Sequence, residues 1–121
     1  MNKTHLLSIL LLAALAATVQ AAEVTVQWTF PTNNVDGSAL TDLAGAKVYY
    51  GTASSNYTSS VTVPGGVPGG VGVKTITGLK AGTTYYFVGT AYNVAGLESD
   101  HCAEVSKKAT TKPSKVTLRV L

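Results

Sequence analysis

Cysteine occurs once in this 121-residue chain, at Cys102, so no disulfide can form within it and the fold must hold by packing. An unpaired thiol is either buried or left to link two chains, and burial is its commoner fate. Histidine is almost as scarce: His5 lies in a leader described below, which leaves His101. On the strand expected there, His101 points to the face opposite its neighbour Cys102, so the two cannot act as base and nucleophile. No cluster of His and Cys stands at metal-ligand spacing. Asp36 and Asp42 lack the run of oxygen ligands that a calcium loop needs, and Asp36-Gly37 reads as a turn. No pair of carboxylates stands at a readable spacing. These absences argue against an enzyme and leave no cofactor or metal to expect.

An apolar run of the ~20 residues needed to cross a bilayer is also missing. Leu6 to Ala17 is apolar apart from Ser8, and with its flanks it amounts to roughly 14 residues. Lys3 precedes it, and Val19-Gln20-Ala21 follows with small residues where a signal peptidase reads, so residues 1–21 are expected to be a signal peptide cut after Ala21. No Cys follows to carry a lipid. The expected address is secreted or periplasmic, with no stable membrane anchor after cleavage. What remains is about 100 residues, room for a single domain over 22–110 and a basic tail over 111–121.

Charge divides along the same boundary. Between Ala22 and Ser106, Lys47, Lys74 and Lys80 face Glu23, Asp36, Asp42, Glu98, Asp100 and Glu104, a net −3. From Lys107 onward, Lys107, Lys108, Lys112, Lys115 and Arg119 meet no acid, a net +5. A basic end can serve nucleic acid or anionic membrane, but export removes nucleic acid as a partner, and a solvated end is the ordinary explanation.

What the chain does have is strand periodicity. Val24, Val26, Trp28 and Phe30 fall on one face and Thr25, Gln27 and Thr29 on the other, up to Pro31. A polar loop over Thr32 to Ala44 leads to a strand at Lys47-Val48-Tyr49-Tyr50, with Ala46, Val48 and Tyr50 on one side and Tyr49 on the other. Tyr57 to Val63 is expected to form a third strand. Asn56-Tyr57-Thr58 matches a glycosylation acceptor, of consequence only in a eukaryote. The repeated Pro-Gly-Gly-Val of 64–67 and 68–71 is too brief for an architectural repeat; it predicts a mobile, exposed loop, since no Lys-Ser/Thr pair or helix start follows to make a phosphate cradle. Val73 to Thr77, a long strand from Tyr85 to Asn93, and Asp100 to Lys108 complete the set. Tyr85, Phe87, Gly89 and Ala91 share one face of the long strand; Tyr86, Val88, Thr90 and Tyr92 share the other.

Leu79, then Gly82-Thr83, then Tyr85, Phe87, Ala91 and Asn93, with Trp28, with Val48-Tyr49-Tyr50-Gly51-Thr52, and with Gly96-Leu97-Glu98-Ser99 before Glu104-Val105, resembles the fibronectin type III domain over about Val24 to Thr110. The resemblance implies an all-β, immunoglobulin-like sandwich of two sheets, A-B-E against C′-C-F-G. It implies a core built on Trp28, Val48, Leu79, Tyr85 and Phe87, with Tyr85 as the corner tyrosine whose hydroxyl ties down the loop before it. Ala46 and Gly89 stand where the family places larger apolar residues, which predicts a packing deficit beside Trp28. Lys74 replaces a common apolar residue and leaves the register of strand E open. Strand A is missing, or is supplied by the C-terminal tail.

Two surfaces are candidates for function. Tyr49, Tyr86 and Tyr92 should project from the outer face of the C′-C-F-G sheet, either to contact a protein or stack on sugar rings, or to stiffen the sheet as cross-strand pairs. In the tail, Val116, Leu118 and Val120 alternate with Lys115, Thr117 and Arg119 as a strand would. That segment either begins a following domain, folds back along strand G, or enters another molecule as a donated strand. The expected function is a secreted, non-catalytic binding or adhesion module for cell-surface protein or polysaccharide, from a bacterial or phage genome. The alternatives are a structural subunit self-associating through its tail, and a phage accessory or virion protein.

Overall fold

The computed structural model describes residues 21–121, so the expected signal peptide lies outside the described residues apart from Ala21. Six strands follow in order: β1 (Ala21–Thr29), β2 (Leu43–Gly51), β3 (Ser59–Pro64), β4 (Val71–Lys80), β5 (Thr84–Asn93) and β6 (Val105–Lys108). They make two antiparallel sheets, β1-β4 and β3-β2-β5-β6, packed face to face. No helix long and apolar enough to cross a membrane occurs among the described residues.

The core forms where the inward faces of both sheets meet. Ala22 and Val24 of β1, Ile76 and Leu79 of β4, Val48 of β2, Phe87 of β5 and Ala109 are buried together, with Val26, Trp28, Tyr50, Val61 and Tyr85 packed against them. Of the expected core residues, Val48, Leu79 and Phe87 are buried, whereas Trp28 and Tyr85 are half-buried at its margin. Tyr50 stacks on Phe87 with ring centroids 5.9 Å apart, and Trp28 meets Phe30 edge to face at 6.1 Å. The Trp28 indole lies so close over Gly72 that any side chain there would overlap it.

A bulge decides the register of β4. Ala22 pairs with Leu79 and Val24 with Ile76, so two residues on β1 match three on β4, and Gly78 takes φ 72° at the extra position. Without that insertion Ile76 and Leu79, three apart, would face opposite sides. Lys74 does stand on the inward face, opposite Val26, half-buried beside the open side of the core.

The chain departs from expectation in three places, and the tail settles on one of its alternatives. The last strand is only Val105–Lys108. Ahead of it, Ser99 Oγ and Cys102 Sγ accept the amides of Ala91 and Gly89 at 3.0 and 3.2 Å, so side chains displace the regular ladder. Tyr57 precedes β3, because a turn over Ala53 to Asn56, with Ser55 at φ 62°, occupies the chain there. The Pro-Gly-Gly-Val loop is exposed yet tethered: Phe30 N donates to Gly70 O at 2.8 Å, Gly69 N donates back to Phe30 O at 3.2 Å, and Gly66 lies against the Phe30 ring. The tail over 111–121 forms no strand and supplies none to its own sandwich; it is exposed throughout. Among the described residues β1 therefore has one ladder partner, β4, and on its other side a single bridge from Glu23 to Thr110.

Candidate functional site

The outer face of the four-stranded sheet does not hold the three tyrosines as one patch. Tyr86 lies opposite Gly51 and Tyr92 opposite Gly45, six residues apart on β5, which is roughly 20 Å at the strand rise. Tyr92 sits under the Lys47 ammonium, 5.9 Å from its ring centre, and beside Leu43 and Leu97. Tyr49, in the middle, turns to different neighbours.

The turn before β3 brings up Tyr57, and the irregular segment before β6 brings up Glu98, His101 and Glu104. The His101 ring lies between the two tyrosines, 5.4 Å from Tyr49 and tilted by 34°, and 5.9 Å from Tyr57 edge to face. Two carboxylates flank this row of rings. Glu98 accepts Tyr49 Oη at 2.5 Å and Thr90 Oγ1 at 2.8 Å, and pairs with Lys47 Nζ at 3.4 Å. Glu104 accepts the Tyr57 hydroxyl, Ser54 Oγ at 2.7 Å and the Ser55 amide at 2.9 Å. Beneath them Val88 and Thr90, on the outward face of β5, are only 4% and 6% exposed, so this face carries a small buried layer of its own.

The hydrogen bonds set the electrostatics. The Tyr49 and Thr90 hydroxyls, then Lys47, hold the Glu98 carboxyl below its ordinary range. Tyr57, Ser54 and the Ser55 amide do the same for Glu104. Each tyrosine is pushed up in turn, chiefly because its hydroxyl donates to a carboxylate. At neutral pH the site therefore presents two charged acceptors beside three rings. Ser54, Ser55, Tyr57, Val88, His101, Cys102 and Glu104 line a shallow basin of about 480 Å³. Among the described residues no group of three or more His, Cys, Asp or Glu is placed to hold a metal ion.

The sequence left Tyr57, Glu98, His101 and Glu104 out of the candidate patch. Its one trace of them is the spacing of three from Glu98 to His101 to Glu104, which a regular strand would send to alternating faces. The His101 ring lies tilted against Tyr49, while Cys102 Sγ turns to Gly89 N at 3.2 Å, although both residues reach the basin. Cys102 is exposed rather than buried, and beside it a small apolar cavity of about 60 Å³, lined by Val26, Trp28, Ala46, Val48, Phe87 and Gly89, marks the packing deficit expected there. Tyr85 Oη accepts the Lys80 amide at 2.9 Å across the β4–β5 corner.

Two sheets in this order, a corner tyrosine and a glycine-bearing β4–β5 turn define an immunoglobulin-like sandwich with the fibronectin type III-like fold. A solved structure bears this out: the chain is similar to the third fibronectin III domain of the human KIAA0343 protein, with a TM-score of 0.52 and 16% identity over 81% of this chain and 84% of that one. No protein-family model matches the sequence, and no curated protein matches it.

Proposed function

We propose that the protein is an exported, non-catalytic binding module that takes a polysaccharide at a cell surface along the row of Tyr49, His101 and Tyr57 and the basin that His101 and Tyr57 line. The observation that carries this reading is the row of three rings flanked by Glu98 and Glu104. Sugar rings offer C–H faces that stack on aromatic side chains, and hydroxyls that donate to carboxylates. A shallow, open basin suits one stretch of a polymer better than an enclosed small molecule. Export is supported by the leader pattern of residues 1–21, and the processed protein should begin at Ala22, which terminal sequencing reads directly.

Retention on insoluble cell-wall polysaccharide tests the site. The native protein is expected to be held, and Tyr57→Ala and Tyr49→Ala to bind roughly five- to tenfold more weakly, the equivalent of ~1–1.4 kcal/mol of stacking each. If the native protein passes through the matrix, or both variants are held as it is, the basin is not a sugar site; capture of a surface protein through the same tyrosines would reassign the ligand class.

A further inference from the structure

We propose that the free side of β1 receives the C-terminal tail, residues 113–121, of a second copy of this chain as an added antiparallel strand. This goes beyond the polysaccharide reading and uses a different face, but it rests on removal of residues 1–21 at export. Glu23 N donates to Thr110 O at 3.0 Å, and Phe30 N donates to Gly70 O on the β4 side. With β1 regular between them, the odd-numbered backbone groups face away from β4. Those of Thr25, Gln27 and Thr29 meet no backbone partner among the described residues. Such an edge pairs readily with another chain.

The core lies open beneath the same edge. The cavity lined by Val26, Trp28, Phe87 and Gly89 reaches Cys102 and Val105, both exposed, on the sheet opposite. A strand laid along β1 with apolar side chains turned inward would cover it. Among the described residues the tail has that pattern and no partner for it: Val116, Leu118 and Val120 are 77%, 88% and 97% exposed, alternating with Lys115, Thr117 and Arg119.

Direction rules out the tail's own edge. The Glu23–Thr110 bridge is antiparallel, so past Thr110 the chain runs beyond the start of β1 and away from Val24 to Thr29. Ala109, fully buried and bonded to Thr83 and Gly82, fixes that crossing. To return, the tail would have to reverse and climb past this crossing parallel to β1. A tail from another molecule meets β1 at its Thr29 end and runs antiparallel without reversal. Residues 115–121 extend ~23 Å against the ~17 Å of Thr25 to Thr29, so the strand fits with residues to spare. The contact is head to tail, and each copy both gives and receives.

The test uses the processed chain, residues 22–121, in sedimentation over a concentration series. One variant, V116D/L118D/V120D, charges the tail's apolar stripe at exposed positions. The other, Gln27→Pro, removes an amide from the free side of β1 and leaves the β4 ladder intact. The unmodified chain is expected to gain mass with concentration, each variant to remain a monomer, and the two mixed to form a one-to-one dimer, since one keeps the edge and the other the tail. A native chain that stays monomeric throughout overturns the proposal, as does a tail variant that associates like the native chain, or a mixture that does not pair. If Gln27→Pro does not fold, binding of a synthetic 112–121 peptide to the tail variant probes the same edge; no binding overturns the proposal.

Discussion

Gly89 shows how a single missing side chain organises its surroundings. It lies on the inward face of β5 opposite Val48, and the space it leaves is shared between a small cavity and the Cys102 thiol. A methyl group there would lie 3.6 Å from Lys47 O and 3.8 Å from Cys102 Sγ, ordinary contact distances. Gly89→Ala is therefore expected to raise stability by ~0.5–1 kcal/mol, through lower entropy of the unfolded chain and some filling of the cavity. Urea unfolding checks it, and a lowered midpoint would show that Cys102 needs the space. This deficit was legible because Ala46 and Gly89 stand where the fibronectin type III domains that the sequence resembles place larger apolar residues. Tyr85 was legible through the same resemblance, which implies a corner tyrosine at this place, and its hydroxyl does accept the Lys80 amide. Glu98 and Glu104 were not legible, because their partners Tyr49 and Tyr57 lie 49 and 47 residues away and nothing local joins them.

At the scale of elements, alternation located every strand but not where each becomes irregular. Ile76 and Leu79 cannot both face inward on a regular strand, yet both are buried, and the bulge at Gly78 reconciles them. The left-handed φ of 72° is open to glycine and strained for a residue with a Cβ. Gly78→Ala meets no neighbouring atom, so its cost is backbone strain alone, expected at ~1–2 kcal/mol. A lower denaturant midpoint with an unchanged slope would register it. No loss of stability would mean that β4 re-registers freely. The segment before β6 escaped the strand pattern for a different reason: Ser99 and Cys102 bond the β5 backbone with their side chains, which alternation does not encode. That irregularity also turns His101 and both glutamates to one side, so the part of the chain hardest to read as structure is the part that builds the candidate site.

At the scale of the molecule, the two-stranded sheet buries one face, whereas the four-stranded sheet buries its inner face and, through Val88 and Thr90, part of its outer one. The outer layer is held by hydroxyl–carboxylate bonds, so its contribution to stability must vary with pH. Glu98 and Glu104 titrate below their ordinary value of 4.5 in the folded protein, as does Asp36, held down by Ser38, below its ordinary 3.8. A lowered carboxyl stabilises the fold fully above its unfolded-state value and loses that contribution as pH falls through the folded one. Tyr49 and Tyr57 titrate above their ordinary 10.0, and a raised group contributes fully below its unfolded-state value and loses its share as pH rises through the folded one. Thermal stability should therefore be level between about pH 5 and 9 and decline on both sides. The groups are solvent-facing, so each limb is shallow and flattens further in high salt. Melting curves from pH 3 to 11 test this, with Glu98→Gln and Glu104→Gln combined as the control. The double variant should lose most of the acid limb, because Gln has no proton to gain, and should also flatten the alkaline limb, because without a carboxylate partner the folded-state values of Tyr49 and Tyr57 fall back toward their unfolded-state ones. A double variant whose acid limb matches the native one would place the acid sensitivity elsewhere, at Asp36, and would make the Tyr49–Glu98 and Tyr57–Glu104 bonds incidental to the fold.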